Sequence, residues 1–586
     1  MEKALWSPDS QMIAYRASHN GKIQLWVSRR DGSMQEKLTS NPADIQTFRW
    51  SIDGGRIFFT TAESSFSGSD SLNEAATGFY YDDRFIPVLS TRPIEDMINQ
   101  RVDSNGLSVY DLKTRSERTT TAREQDEYRR LVSSSAALHK TDCLARVPLG
   151  HASAWLESIH GRKGVGLEQP LTVVASKGVL GHQPDICLPN VCTGYIRGIW
   201  LNDEGTAAFF LRYTGPRPYG SMSLYKWAIG TSTVHEVLRT EDLIEGCTRV
   251  AMELICGHSS TTRPTELVRL SLGTGIITTL YDPNPNLRTI QYGETAPLFW
   301  NDNNGAPGFG HVVKPIGYVP GRRYPLIVVQ YRSRGFLRGG VGDEYPIHVF
   351  ASKGFVVLSF NRPDDWDSFA VANSYDEATA MGSVDEKDRR RVLSVLEAGV
   401  DELDRLGIID PHRVGITGMS DGAETANFAL VNAPERFAAA AVSSDWCNPL
   451  IFYLLGPKYQ QVLRRTLHFE DPMQPASMAK WQRASVSMNA SKVLAPLLIQ
   501  VADSELLPVT QSFTELRGFG KPVEMYVFPD EFHVKSQPVH RLSMYRRSVQ
   551  WFQFWLEGIE DPDPISQGQY VRWRSMRDAA QRRSPQ

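Results

Sequence analysis

The chain of 586 residues has no run of eighteen or more apolar residues, no long basic run, and a formal net charge of only −3. Without the first there is no candidate for a membrane-spanning helix. Without the second, nothing draws the chain to nucleic acid or to an anionic membrane, and the expected partner is a small molecule or a peptide. Cysteine is scarce as well. Its six copies (Cys143, Cys187, Cys192, Cys247, Cys256 and Cys447) are too few and too scattered for a disulfide scaffold. Cys187 with Cys192 lacks the second close pair that a zinc site needs, so buried free thiols and no metal are expected. The opening MEKALWSPDS lacks the charged start and apolar centre of a secretory signal, so the chain as written is expected to be cytoplasmic.

What is present is ordinary globular material, 41% apolar and 22% charged, long enough for at least two cores. Its first half reads as short strands broken by polar turns. LWSPDSQMIAYRA from Leu5, FRWSIDGGRIFFTT from Phe48 and GIWLNDEGTAAFFLRY from Gly198 share one order: an apolar strand end, a turn with Asp and usually Gly, then a second strand. Trp6, Trp50 and Trp200 hold equivalent places. KIQLWVSRRDGS, GLSVYDLKTRS, SLYKWAIGTST and LVRLSLGTGIITTL read as the outer hairpin of the same unit. Trp6 and Trp50 are 44 residues apart, the size of one four-stranded propeller blade, and about five to seven blades fit the span. The interval from Trp50 to Trp200 holds the irregular TAESSFSGSDSLNEAATG and does not divide evenly, which keeps a β-sandwich as the alternative.

From about Pro315 strands alternate with helices. YPLIVVQY and GFVVLSF are continuous apolar runs, as strands covered on both faces of a parallel sheet should be. SVDEKDRRRVLSVLEAGVDELDRLG opens with an expected capping box, Ser383 with Glu386, and sets Val392, Leu396, Val400, Leu403 and Leu406 at helical spacing. HRVGITG, LAPLLIQV and VEMYVFP supply further strands, and RLSMYRRSVQWFQFWL a closing amphipathic helix. This half is predicted to be a doubly wound, mostly parallel α/β domain.

Within it, RVGITGMSDGAETANFAL reads as strand, turn and helix, with Gly418 and Gly422 flanking Ser420 where a side chain would collide with a tight elbow. A GxSxG pattern arises by chance on the order of one time in five in a chain this long, so its placement carries the argument. A serine hydroxyl needs a base, and the chain order for such a sheet is Ser, acid, His. FPDEFHV puts His533 in the loop before the closing helix, whereas His540 lies on the helix and reads as a surface residue. The loop after LAPLLIQV, ADSELLPVTQS, offers two acids, Asp503 and Glu505; spacing does not choose between them, and the one not used should face solvent. The oxyanion donors are expected to be the backbone N–H of Asp421 and the hydroxyl of Tyr331, which ends an early strand.

YPLIVVQY with the polar, glycine-containing loop after it, GIIDPHRVGITGMSDG, LLPVTQS and FPDEFHV resemble, in order and spacing, the peptidase domain of the prolyl oligopeptidase family of serine peptidases. The N-terminal units resemble that family's propeller, so the likeness covers nearly the whole chain. It implies a cofactor-free serine peptidase with a substrate-gating β-propeller over residues 1–290 and an α/β-hydrolase domain over 291–586. It also implies Ser420 as nucleophile, His533 as base and Tyr331 as oxyanion donor. Three departures stand out. Arg332, Ser333 and Arg334 replace a Gly-Gly-Pro type run, Ser504 falls at the usual aspartate unless one deletion brings Asp503 there, and Asp421, Gly422 and Ala423 replace an aromatic and two glycines. With QYRSRGFLRGGVGDEYPI, GMSDGA and VADSE, these departures are similar to the lasso peptide isopeptidase subgroup, which opens the macrolactam ring of a threaded peptide. That likeness implies a compact, threaded peptide substrate recognised by a cleft between propeller and hydrolase. Members of the subgroup are longer at the N-terminus, which puts the expected start upstream and the chain in the periplasm if so.

Two other readings compete. A conventional dipeptidyl or oligopeptidase of the same family would need an acidic pair in the propeller to hold a free amine, and no blade motif announces one. A non-catalytic propeller binding protein would not need Ser420, His533 and two candidate acids together. A lipid esterase is disfavoured because no large apolar lid is evident between Trp446 and Lys492.

Overall fold

At the ends of several N-terminal strands a small polar side chain folds back onto the turn that follows and fixes it. Ser7 Oγ donates to Asp9 Oδ1 (2.6 Å) and accepts from the N–H of Met12 (2.9 Å). Ser51 repeats this with Asp53 (2.5 Å) and Arg56 (3.0 Å), and Asn202 Oδ1 accepts from the N–H groups of Thr206 and Ala207. Turns anchored this way set the register of the next strand.

The structure, a computed structural model, describes residues 4–19, 22–41, 45–61, 107–136, 145–146, 152–159, 164–165, 171–176, 183–214, 220–363, 366–529 and 531–583. All of the polar stretch TAESSFSGSDSLNEAATG beyond its first residue, and Cys143, lie outside them. Among the described residues the anchored strands form five four-stranded antiparallel sheets, each a simple meander. Two sheets, from Leu5–Trp6 to Gln35–Lys37 and from Ile45–Trp50 to Ser116–Thr119, lie in one compact unit. The other three, from Ala145–Arg146 to Asp185–Ile186, from Ile196–Leu201 to Val234–Thr240 and from Leu243–Val250 to Ile277–Tyr281, lie in a second unit with the rest of the chain. The three tryptophans match in position but not in burial. Trp50 is buried and donates Nε1–H to the carbonyl of Leu5 (3.0 Å), whereas Trp6 is 54% exposed.

The expectation of free thiols fails at four positions. Cys187 is bonded to Cys192 and Cys247 to Cys256, and Cys447 is the free cysteine among the described residues. Cys247 and Cys256 sit on adjacent antiparallel strands, a proximity that pairing register creates and a count of six cysteines hides.

The second unit also holds an eight-stranded sheet. Its strands are β1 (Thr295–Asn301), β2 (Pro307–Val313), β3 (Tyr324–Tyr331), β4 (Val356–Asn361), β5 (Ile409–Gly418), β6 (Ala439–Val442), β7 (Leu497–Ala502) and β8 (Val523–Phe528), in the spatial order β1-β2-β4-β3-β5-β6-β7-β8. β1 and β2 are antiparallel and the other six run parallel. Alternation along β3 explains why its whole length is apolar: Leu326 and Val328 enter one core, Ile327 and Val329 the other. β1, β2 and β6 have no sequence signature as clear as the five strands read from apolar runs.

Helix α1 (Lys387–Arg405) buries Val392, Leu396, Val400 and Leu403 as its spacing predicts, while Leu406, just past its end, is 46% exposed. The expected capping box does not form. Ser383 Oγ donates to the carbonyl of Thr379, and the buried Glu386 carboxylate takes Arg483 instead. Each of the four buried aliphatic side chains contributes about 1.5–3 kcal/mol, more than the roughly 1 kcal/mol of a cap, so the helix starts where packing puts it. A capping side chain does occur nine residues earlier, where Ser374 Oγ accepts from the N–H of Glu377 (3.1 Å). The remaining helices used below are α2 (Asp421–Asn432), α3 (Leu506–Gly518) and α4 (Pro538–Phe552). None of the described helices is long and apolar enough to cross a membrane.

Candidate active site

β5 and β3 pair in parallel, from Leu326 beside Val414 to Val328 beside Ile416, so their carboxyl ends finish side by side. β5 stops at Gly418, α2 starts at Asp421, and Ser420 caps the helix at φ 58°, ψ −127°. A non-glycine residue held there costs about 1–3 kcal/mol, which the surroundings must offset. They do so through hydrogen bonds to the turn's carbonyls. Gln330 Nε2 donates to Thr417 (2.8 Å) and Gly422 (3.2 Å), and Tyr345 Oη–H donates to Gly418 (3.0 Å).

The two glycines have different duties. A Cβ on Gly418 would stand 2.1 Å from the carbonyl oxygen of Gly422, backbone that cannot yield. On Gly422 it would stand 3.1 Å from both Gln330 Cβ and Tyr331 Cδ1, so that glycine lets β3 approach the elbow.

Tyr331 is half-buried at the end of β3, with its hydroxyl beside Ser420. Burial first, then the charge of Asp421, pushes its phenol above the ordinary tyrosine range, so it carries its proton at neutral pH. The backbone N–H of Asp421, at the first turn of α2, has no partner within the helix by construction. Its carboxylate is held by Arg389 Nη2 (2.6 Å) on one oxygen and Arg362 Nε (2.6 Å) on the other. Burial would raise its pKa, but Arg389 and then Arg362 outweigh this and hold it below the usual range. Arg389 Nη1 also donates to the carbonyl of Asp421 (3.2 Å), fastening the turn from a second side.

His533 lies in the loop between β8 and α4, with its Nδ1 2.5 Å from Glu505 Oε1. Glu505 is buried at the end of β7, just before α3. Asp503 is exposed and accepts from the N–H of Ser504 (2.9 Å). His540, read from the sequence as a surface residue, is partly buried and bonded through Nδ1 to Glu531 (2.8 Å).

Beside Tyr331 and Asp421 opens a cavity of about 590 Å³. Its wall includes Phe369, Trp446, Phe469 and Trp481, with Glu424 among its polar groups. Part of this wall comes from the stretch in which the sequence suggested no apolar lid. Helices Ile451–Leu454, Gly456–Arg465 and Pro475–Ala484 lie there, their apolar residues dispersed among charged ones at helical spacing rather than in a run. Another part is the helix Trp366–Val371, tied from outside by the N–H groups of Gly164 and Val165, which donate to the carbonyls of Ala372 (3.2 Å) and Phe369 (2.9 Å). Beneath α2, Glu424 accepts from the N–H of Trp446 (2.7 Å), and Asp445 from Asn448 Nδ2 (2.7 Å). Burial, then the charge of Glu424, pushes the Asp445 carboxyl up to about 7. Gln330, Arg362, Arg389 and Asp445 have no sequence signal, because each acts through a partner distant in the chain.

Residues 382–558 match the prolyl oligopeptidase family. Over 99% of its length the chain is 35% identical to the lasso peptide isopeptidase AtxE2 of Asticcacaulis excentricus, covering 80% of that protein. A serine-to-alanine variant of AtxE2 isopeptidase with Astexin3-dC4 bound superposes with a TM-score of 0.85 at 33% identity, covering 98% of this chain and 85% of that one. The acylaminoacyl peptidase of Pyrococcus horikoshii superposes at 0.57 with 17% identity, covering 96% and 90%, a likeness of fold alone. End-to-end identity of this order, together with the family match over residues 382–558, makes the chain a member of the prolyl oligopeptidase family of serine peptidases.

Proposed function

We propose that this chain is a serine isopeptidase that hydrolyses the amide closing the macrolactam ring of a lasso peptide and releases the linear peptide. The observation that carries the reading is the His533–Glu505 contact of 2.5 Å at the end of the sheet that bears the Ser420 elbow, in a chain 35% identical throughout to AtxE2. In this reading Ser420 Oγ attacks the ring's amide carbon while His533 takes its proton. Glu505 holds the imidazole by Nδ1–H and stabilises its charged form, leaving Nε2 to face the serine. The Tyr331 hydroxyl and the Asp421 N–H receive the oxyanion, and the two arginines on Asp421 keep that N–H aimed. Protonated His533 then gives its proton to the leaving amine as the C–N bond breaks. A water, deprotonated by the same imidazole, releases Ser420 and leaves a free carboxylate on the peptide.

We read the five meander sheets as blades of a β-propeller spanning residues 1–290, followed by an α/β-hydrolase domain over 291–586, with the strand order of the mixed sheet and the acylaminoacyl peptidase likeness in support. The two disulfides support an oxidising compartment, hence the periplasm rather than the cytoplasm. The test is mass spectrometry of a lasso peptide after exposure to the enzyme. Gain of one water with loss of the threaded form is expected, and none with Ser420→Ala; turnover of chromogenic dipeptides without ring opening would replace this reading by a conventional peptidase.

A further inference from the structure

Two residues beyond His533, Lys535 is fully buried, and its Nζ donates to Oε1 of the equally buried Glu344 (3.1 Å). The same ammonium reaches the carbonyl of His533 (3.4 Å). The next residue after Glu344 is Tyr345, whose hydroxyl donates to the carbonyl of Gly418 (3.0 Å), two residues before Ser420. On the other side of Glu344, Asp343 is paired with Arg541 of α4 (3.1 Å). Residues 343–345 therefore touch the histidine loop, the helix after it and the serine elbow within three consecutive positions.

A buried charge pair is a poor way to obtain stability. Its desolvation cancels much of its attraction, and an apolar pair of the same size would serve the core as well. What an ion pair adds is direction, because it holds only where ammonium and carboxylate meet. Glu505 fixes the ring of His533 through its side chain, but nothing in that contact fixes the main chain of the loop. We infer that Lys535 and Glu344 are positioning residues for the reaction: with Tyr345 they form a strut that sets the spacing between the loop bearing His533 and the elbow bearing Ser420. This rests on the proposed roles of those two residues.

The test uses the full chain with Lys535→Met and Glu344→Gln combined, which removes both charges and nearly preserves volume. Wild type and variant are compared in fluorophosphonate labelling rate, in kcat and KM on a lasso peptide, and in melting temperature. The double variant is expected to melt within a few degrees of wild type yet to label, and turn over, about 10- to 100-fold more slowly with KM little changed, as for small misplacement of reacting groups. Lys535→Arg, which keeps the pair, is expected to stay within about threefold of wild type, as retained geometry requires. A double variant that labels at the wild-type rate would reduce the pair to a core element and overturn the inference. Should that variant not fold, Tyr345→Phe cuts the other end of the strut, and unchanged labelling there overturns it equally. A wild-type chain that fails to label would instead remove the reading of Ser420 itself.

Discussion

Nδ1 of His533 stands 2.5 Å from Oε1 of the buried Glu505, while Asp503, two positions earlier, faces solvent. The two acids should therefore differ sharply. Glu505→Gln is expected to lower kcat about a thousand- to ten-thousandfold, because the amide favours the wrong tautomer of the imidazole and cannot balance its charge. Asp503→Asn should stay within about twofold, as for an exposed carboxylate away from the reacting atoms. Steady-state ring opening followed by mass spectrometry reads both, and two small losses would move the acid to another loop.

Tyr331→Phe removes one oxyanion donor and little else. A fall of about 10²–10³ in kcat with KM nearly unchanged is expected, since the hydroxyl acts on charge that exists only in the transition state. A rise in KM at constant kcat would make Tyr331 a substrate-binding residue instead.

The two elbow glycines should fail in different ways. Gly418→Ala forces a Cβ against backbone 2.1 Å away and is expected to abolish folded protein, as judged by yield and circular dichroism. Gly422→Ala meets Gln330 and Tyr331 at 3.1 Å, which yields by a few tenths of an ångström. It is expected to fold, lose a few degrees of melting temperature and lose at least about tenfold in kcat as Tyr331 shifts.

Asp445 gives stability a pH dependence. Its carboxyl is raised to about 7 from the ordinary 3.8, so between those values the folded chain keeps a proton that the unfolded chain has lost. Stability therefore falls as pH rises through that window and stays lower above it. Asp445→Asn removes the effect: its melting temperature should exceed wild type by several degrees at about pH 8 and match it at about pH 4. Equal differences at both pH values would place the proton elsewhere, on Glu424.

Some of this was legible in the sequence, and the reason is locality. The strand–turn–helix around Ser420, the loop position of His533 and the buried strand ending at Tyr331 are each written within about ten residues, where periodicity and turn chemistry act. The choice between Asp503 and Glu505 was not, because it depends on which side chain a turn directs inward. The disulfide between Cys247 and Cys256 and the clamp of Arg362 and Arg389 on Asp421 depend on register and on helices that meet only in the folded chain. The expected Ser383–Glu386 box failed for a related reason: Arg483, 97 residues on, offered Glu386 a better partner.

Main-chain hydrogen bonds join the N–H groups of residues 164 and 165 to the carbonyls at 372 and 369. Such bonds form whatever side chains the participants carry, provided none is proline at the donor positions. The residues at 164 and 165 can therefore change, short of proline, while the helix bearing Phe369 stays moored. Substitution there can alter the outer side of that helix while the wall it gives the cavity beside Tyr331 and Asp421 stays in place.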